Sequence, residues 1–288
     1  QMIGDNLTVM HWNLRQLRLL EEPKQSSFYL SDAGFFEFLS SRRGSLALQP
    51  TAATATPSYV KKKLHVVPVD KLPGTAPAAP FRLRGDQHLV LRPTGEQPVQ
   101  VKFGRISTRG KLVTYSVYRS DGKEVASGLV SAEVPIELAA EGAGYYHLAI
   151  SAGSASFMVE VTGAGWAVDG GLGDQGLHFL GTVTPVYFHV PDAVSAFHLS
   201  LEATPPGETA LATLYAPDGQ PAAQFDCTSV SVDRKKVPVP PAGAGWWRLE
   251  VKPAATGAMD DVWVKAGDQL GGYFSLAPAQ ALDVGAAN

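Results

Sequence analysis

From residue 81 onward, apolar and polar residues alternate in short runs, which is the pattern of strands with one buried face. Gly, Pro or Asp bounds each run, and no helical pattern interrupts the series. Short strands at close, regular spacing are typical of β-sandwiches and barrels. The pattern therefore predicts an all-β protein. The predicted strands cover residues 89–91, 99–101, 113–118, 146–150, 157–161, 186–190, 196–201, 210–215, 246–251, 262–264 and 273–276.

Residues 1–48 have a different pattern. Apolar residues recur at spacings of three and four from Leu7 to Leu17, which predicts a helix that ends at Pro23. A second short helix is predicted over 32–43. Helices this short need another surface to cover their apolar faces. We expect a partly helical N-terminal segment that packs on the rest of the chain; the alternative is the tail of a further domain or a docking element for a partner.

The remaining chain divides by composition. Residues 49–80 are rich in Pro, Ala and Thr and form a connector, in which the apolar run 64–69 predicts an edge strand. Two β-sandwiches are predicted after it, over 81–168 and 176–288. The glycine-rich stretch 163–176 between them is interpreted as a flexible joint.

The two predicted sandwiches share sequence landmarks. In each, a Tyr is followed after two residues by an Asp-Gly pair, and the pairs at Asp121 and Asp218 are 97 residues apart. The Gly-Ala-Gly triplets that begin at Gly142 and Gly243 are 101 residues apart. Asp-Gly between apolar runs supplies the backbone angles of a tight hairpin. Two landmarks in one order and at nearly one offset predict tandem sandwiches of similar topology.

Charge and cysteine content exclude several classes of protein. The 288 residues carry 24 Lys and Arg against 27 Asp and Glu, a formal net charge of −3, whereas nucleic-acid-binding proteins normally have a basic excess. No apolar stretch is long enough to span a membrane as a helix. The single cysteine, Cys227, excludes an internal disulfide and a cysteine-rich zinc site.

Catalytic and metal motifs are not evident. The seven histidines form no pair with metal-ligand spacing, and neither Asp-Gly turn has the clustered carboxylates of a calcium site. The sequence contains no Gly-x-Ser-x-Gly elbow and no phosphate-binding loop. The adjacent acidic pair Asp260 and Asp261 has no second carboxylate that the sequence places across a cleft. We therefore predict no catalytic residue, no metal and no cofactor; were the chain an enzyme, it would be a hydrolase acting on glycans.

Alternation along two strands identifies candidate ligand-binding residues. When the apolar residues of the first strand point inward, Tyr145 and His147 point away from the core. By the same rule Trp246 and Arg248 lie on the outer face of the second strand. An outward Trp beside an Arg offers a flat apolar surface and a fork of donors that suit a sugar ring. Trp166, at the joint, is a further candidate. The alternative is that these aromatic residues pack at an interface.

Residues 183–284 carry a set of motifs that resembles a known module. They are a Val-Pro step, a Tyr-x-Pro-Asp-Gly hairpin, a Trp-Arg-Leu strand and a closing Ser-Leu-x-Pro segment, at residues 190–191, 215–219, 247–249 and 275–278. This combination is similar to the C-terminal β-sandwich accessory module of large secreted bacterial proteins, often attached to glycoside hydrolases. Residues 81–162 repeat it weakly. The resemblance implies an accessory role and carries over no catalytic residue.

These observations favour one function and leave two alternatives. The first hypothesis is a non-catalytic exported module that binds, or supports binding to, polysaccharide, secreted from or displayed on a bacterial cell. Its expected partners are a polysaccharide or a neighbouring catalytic domain, and neither nucleic acid nor a membrane. The second hypothesis is a self-assembling structural protein of the cell surface. The third is the C-terminal part of a glycoside hydrolase whose catalytic domain is missing from this chain.

Overall fold

In a computed structural model of the chain, the described residues are 57–69, 72, 80–107, 112–140, 144–171 and 176–286. They belong to one compact unit that spans residues 56–288. The predicted N-terminal helices, over residues 1–48, lie outside the described residues. Within the described ranges, regular structure consists of twenty β-strands and one turn of 3-10 helix. The all-β, β-sandwich prediction is confirmed. None of the helical structure seen there is long and apolar enough to cross a membrane.

The strands are numbered in chain order. They are β1 (Leu64–Pro68), β2 (Leu83–Arg84), β3 (Gln87–Pro93), β4 (Val99–Ser107), β5 (Thr114–Arg119), β6 (Glu124–Leu129), β7 (Ile136–Leu138), β8 (Tyr146–Ser151), β9 (Ser156–Thr162), β10 (Ala164–Asp169), β11 (Leu177–Leu180), β12 (Val186–Val190), β13 (Ala196–Glu202), β14 (Leu211–Tyr215), β15 (Pro221–Asp226), β16 (Val232–Pro238), β17 (Gly245–Lys252), β18 (Asp261–Ala266), β19 (Tyr273–Phe274) and β20 (Leu282–Ala286). The 3-10 helix, Pro278–Gln280, lies between β19 and β20.

Each half of the unit is a pair of antiparallel sheets. In the first half, strands in the order β10-β3-β8-β5-β6 form one sheet and β2-β9-β4-β7 form the other. In the second half the corresponding orders are β12-β17-β14-β15 and β11-β18-β13-β16. Inward side chains of both sheets, such as Leu148 and Phe157 in the first half and Trp247 and Phe197 in the second, belong to one buried apolar cluster. That shared core makes each pair of sheets a sandwich.

The sheets of the two halves are joined edge to edge. Strand β10 pairs with β19, which places Val168 opposite Phe274, and Ser275 next to β19 exchanges backbone hydrogen bonds with Tyr187 of β12. On the other side, β2 pairs with β11. We call the sheet that contains β3 and β12, joined through β10 and β19, sheet I. The eight-stranded sheet that contains β2 and β11 is sheet II.

The strand order is the same in both halves. From the junction outward, sheet I reads β10-β3-β8-β5-β6 on one side and β19-β12-β17-β14-β15 on the other. Tyr118 lies opposite His147, and Tyr215 lies opposite Arg248, each beside a register shift with the following strand. The two tyrosines therefore occupy corresponding places. The boundaries at 81–168 and 176–288 stay a prediction, since strands of both ranges share both sheets.

The predicted joint contains a buried strand. Residues Ala164–Asp169 form β10, in which five of six residues are buried, so the interpretation of 163–176 as a flexible joint is wrong over this part. The strand follows β9 directly through Gly163, whose φ of +77° reverses the chain. An apolar Ala-Gly-Trp-Ala-Val run is typical of a strand covered on both faces.

A two-stranded ribbon lies over the outer face of sheet I. It consists of β1 and β20, which pair from Leu64 opposite Ala286 to Pro68 opposite Leu282. Val66 and Val284 of the ribbon form a small buried cluster with Val90 of β3. The Arg92 side chain also donates a hydrogen bond to the carbonyl of Val66. The ribbon thus covers the part of sheet I next to the junction.

Candidate surface for ligand binding

Tyr145 and His147 correspond to Trp246 and Arg248. Both pairs follow a Gly-Ala-Gly triplet and lie at the start of the central strand of sheet I in their half: Trp246 and Arg248 are in β17, and His147 is in β8 with Tyr145 just before it. The residue between the two members of each pair, Tyr146 or Trp247, is buried in the core, as alternation requires. A tyrosine on the neighbouring strand completes each set: Tyr118 of β5 lies opposite His147, and Tyr215 of β14 lies opposite Arg248. The fold therefore presents one triplet of outward side chains twice.

The copy in the first half is covered. His147 is fully buried and Tyr118 nearly so. The ribbon packs against Tyr145, whose hydroxyl accepts a hydrogen bond of 3.0 Å from the backbone N–H of Leu64. The aromatic ring of Tyr59, in the turn before β1, lies over His88 with 4.1 Å between ring centres. A ligand cannot reach His147 without displacing these residues, whereas Tyr145 is half-buried.

Beneath this cover, two histidines and an aspartate form a chain of hydrogen bonds. Nδ1 of His88 is 3.1 Å from Oδ2 of Asp169, and Nε2 of His88 is 2.9 Å from Nδ1 of His147. Among the described residues, Nε2 of His147 has no hydrogen-bond partner. Burial, and secondly the neighbouring His88, lower the pKa of His147 to about 4. At neutral pH this imidazole is therefore uncharged.

Tyrosines around the same histidines are also held in their neutral form. Burial, followed by the nearby Tyr118 and Asp169, raises the pKa of Tyr59 to about 12. Burial is likewise the main cause that raises the pKa of Tyr273, which lies opposite Asp169 on β19. Buried histidines bonded to Asp169, with neutral tyrosines packed around them, suit a structural role in holding the turn and ribbon on sheet I.

The copy in the second half is partly open to solvent. Trp246, Arg248 and Tyr215 are each half-buried, and we call these three residues the aromatic strip. The guanidinium carbon of Arg248 lies 4.5 Å from the centre of the Tyr215 ring, and Nε of Arg248 is 3.1 Å from Oε1 of Glu250. The side chain of Trp246 packs against the buried cluster that contains Tyr187 and Leu72. These contacts fix the orientation of the three side chains on rigid strands.

A shallow cleft lies beside Trp246. Its walls come from β12, β17, β20 and the loop between β18 and β19, and include His189, Trp246, Leu270 and Asp283. The free volume is about 60 Å³. Pockets that enclose small molecules begin at roughly 300 Å³. The cleft therefore accommodates part of a ligand that lies across the surface, and it does not enclose a whole one.

The remaining candidate, Trp166, lies in the core. Its side chain is 2% exposed, stacks on Phe81 with ring centres 6.1 Å apart, and donates from Nε1 to Oε1 of Gln280 at 3.3 Å. The ring offers no face to a ligand at the surface. Of the five predicted residues, the structure thus leaves Trp246, Arg248 and Tyr145 half-buried, with Tyr145 bonded to the ribbon, and it buries His147 and Trp166.

One polar cluster was not predicted. At the junction in sheet II, Asp261 accepts hydrogen bonds from Arg84 at 2.6 and 2.7 Å, and its Oδ1 is 2.6 Å from Nε2 of His178. Carboxylate oxygens of Glu208 and Asp260 lie within 4.8 Å of one from Asp261. Burial, followed by Asp261 and Asp260, raises the pKa of Glu208. Since Arg84 engages both oxygens of Asp261, this cluster ties β2, β11 and β18 together.

Comparison with family models and curated proteins gives no match. No protein-family model matches the chain, and no curated protein is similar to it. The geometry of the aromatic strip is therefore the basis for a functional hypothesis.

Proposed function

We propose that this protein is a non-catalytic polysaccharide-binding module that uses the aromatic strip. The observation that supports the proposal is the difference between the two corresponding triplets. In the first half, His147 and Tyr118 are buried, the hydroxyl of the half-buried Tyr145 is hydrogen-bonded to the ribbon, and the ring of Tyr59 lies over His88. In the second half, Trp246 and Arg248 stay partly open to solvent. The same position of the fold serves packing in one half and is available for binding in the other.

The chemistry of the strip suits a sugar. The C–H face of a sugar ring packs on the indole of Trp246, since both surfaces are flat and apolar. The guanidinium of Arg248 has N–H donors in a fixed plane for ring hydroxyls. Its contact with Tyr215 holds that plane in place before a ligand arrives. Pre-ordered side chains on strands bind at a lower entropic cost than mobile loops do.

We further propose that the two halves are tandem copies of one module, and that the protein is secreted or cell-surface. The shared strand order and the corresponding tyrosines support the duplication. An exported module of this kind delivers a neighbouring catalytic domain, or the cell surface itself, to a polysaccharide. Divergence of the covered and open triplets is then a division of roles between copies.

Retention on insoluble polysaccharides tests the proposal. We expect the wild-type chain to be retained on at least one member of a broad panel, and Trp246→Ala to weaken binding about tenfold or more, since central aromatic contacts contribute more than about 1.4 kcal/mol. The matched control is Trp263→Ala, because Trp263 is also half-buried and stacks on His178 of sheet II, with ring centres 4.1 Å apart. Absence of retention across the panel, or equal loss in both variants, would refute the proposal.

A further inference from the structure

The charged groups around Trp246 are already paired with one another. Arg248 and Glu250 form an ion pair with 3.1 Å between Nε and Oε1. Across the cleft, Nδ1 of His189 is 3.4 Å from Oδ2 of Asp283, and the two side chains are 34% and 35% exposed. The ring of His189 also lies 5.7 Å from that of Trp246. The cleft beside the indole thus contains one carboxylate, that of Asp283, and the guanidinium on the same face of β17 is shared with Glu250.

This arrangement disfavours an anionic sugar. A carboxylate or sulfate group above Trp246 would approach Asp283, and would compete with Glu250 for the guanidinium of Arg248. The next cation along the same face of β17 is Lys252, six residues from Trp246, which is roughly 20 Å at the rise of an extended strand. At physiological ionic strength a charge at that distance is screened.

The same arrangement suits neutral hydroxyl groups. A carboxylate accepts hydrogen bonds at both oxygens, and such charge-assisted bonds are stronger than those between neutral groups. Asp283 presents its carboxylate at the wall of the cleft next to the indole, where the cleft accommodates only part of a ligand. A sugar lying on Trp246 therefore places hydroxyls within reach of Asp283 on one side and Arg248 on the other.

We infer that the ligand is a neutral polysaccharide, and that Asp283 is a specificity-determining residue that accepts hydrogen bonds from its hydroxyls. This inference rests on the proposed function of the aromatic strip and adds the class of polysaccharide and a residue on β20. The ribbon then has a second role, because the strand that covers the junction also supplies one wall of the binding surface.

The test compares neutral and acidic polysaccharides in one assay. Retention of the full chain is measured on cellulose, chitin, mannan and insoluble β-1,3-glucan, and on calcium-crosslinked pectate and alginate gels. We expect retention on a neutral member, about fivefold weaker binding in Asp283→Asn, and no change in Glu96→Gln, which removes one exposed negative charge in the loop between β3 and β4. Circular dichroism and thermal melts of each variant verify that it is folded.

The outcomes separate this inference from the function on which it rests. Retention on the acidic gels alone, lost in Trp246→Ala, overturns the neutral ligand and leaves the proposed function standing. Retention on a neutral member that is unchanged in folded Asp283→Asn overturns the role of that carboxylate. Absence of retention on both classes overturns the proposed function and this inference together.

Discussion

Acid should destabilise the protein through His147. This imidazole is fully buried, and its pKa is about 4 in the folded chain against an ordinary value of 6.5. Between these two values the unfolded chain binds a proton that the folded chain does not. As far as His147 is concerned, the free energy of unfolding therefore keeps its full value above pH 6.5 and falls as the pH is lowered toward 4. At about 1.4 kcal/mol for each pH unit, the loss across the window is about 3 kcal/mol.

The surroundings of His147 determine the direction of this effect. The groups that face the histidine pair are Asp169 on β10, Tyr145 before β8, Tyr273 on β19 and Tyr59 in the covering turn. Asp169 favours a charged imidazole, but burial and the neighbouring histidine oppose it more strongly. A proton on His147 would thus be carried in a site that lacks enough compensating charge.

Urea unfolding at pH 7, 5.5 and 4 measures the effect. We expect His147→Gln, which cannot titrate, to lose about 3 kcal/mol less than wild type between pH 7 and 4. The control is His65→Gln, because His65 is exposed on β1, and its pH dependence should match wild type. Slopes against pH are compared, since the substitution in the core also lowers stability at every pH. Identical slopes in His147→Gln and wild type would refute the reasoning.

Two further substitutions test contacts that the fold depends on. Asp261→Ala should lower the free energy of unfolding by about 3 kcal/mol in urea, because it leaves Arg84, whose side chain is 16% exposed, without its carboxylate. The control Asp260→Ala, at an exposed residue, should cost under about 1 kcal/mol, and similar losses in the two variants would contradict the prediction. Gly163→Ala should destabilise the folded protein by about 2 kcal/mol or more in thermal melts, because φ is +77° and a Cβ would lie 2.6 Å from the carbonyl oxygen of Pro98. The control Gly95→Ala places its Cβ in open space and should stay within about 1 kcal/mol of wild type; equal melting temperatures of the two variants would contradict the prediction.

The sequence predicted strands where one face is buried. Residues 186–190 were predicted as a strand and form β12 with those bounds, because four of the five residues are apolar or aromatic and a Pro ends the run. Both Asp-Gly pairs lie in turns in which the glycine has positive φ, at Gly122 and Gly219. Strands β6 and β16 were missed, since they are edge strands with mostly exposed residues and little apolar alternation.

The faces of the candidate residues were predictable, but their exposure was not. Alternation placed His147 and Arg248 on the outer side of sheet I, which is where they lie. Periodicity along one strand carries no information about what covers that strand from above. The cover over His147 comes from Tyr59 and the ribbon, 79 or more residues away in sequence. The pair of Arg84 and Asp261 was missed for the same reason, since 177 residues separate its members.

The pairing of β10 with β19 and of β2 with β11 makes each half the protective cap of the other. Separating the two halves would remove the hydrogen-bonding partner of one strand in each sheet, and the exposed strand edges would then be free to pair with other chains. We therefore expect the two halves to fold as one cooperative unit. Evolution could diversify the outer surface of either copy only while it preserved both seams.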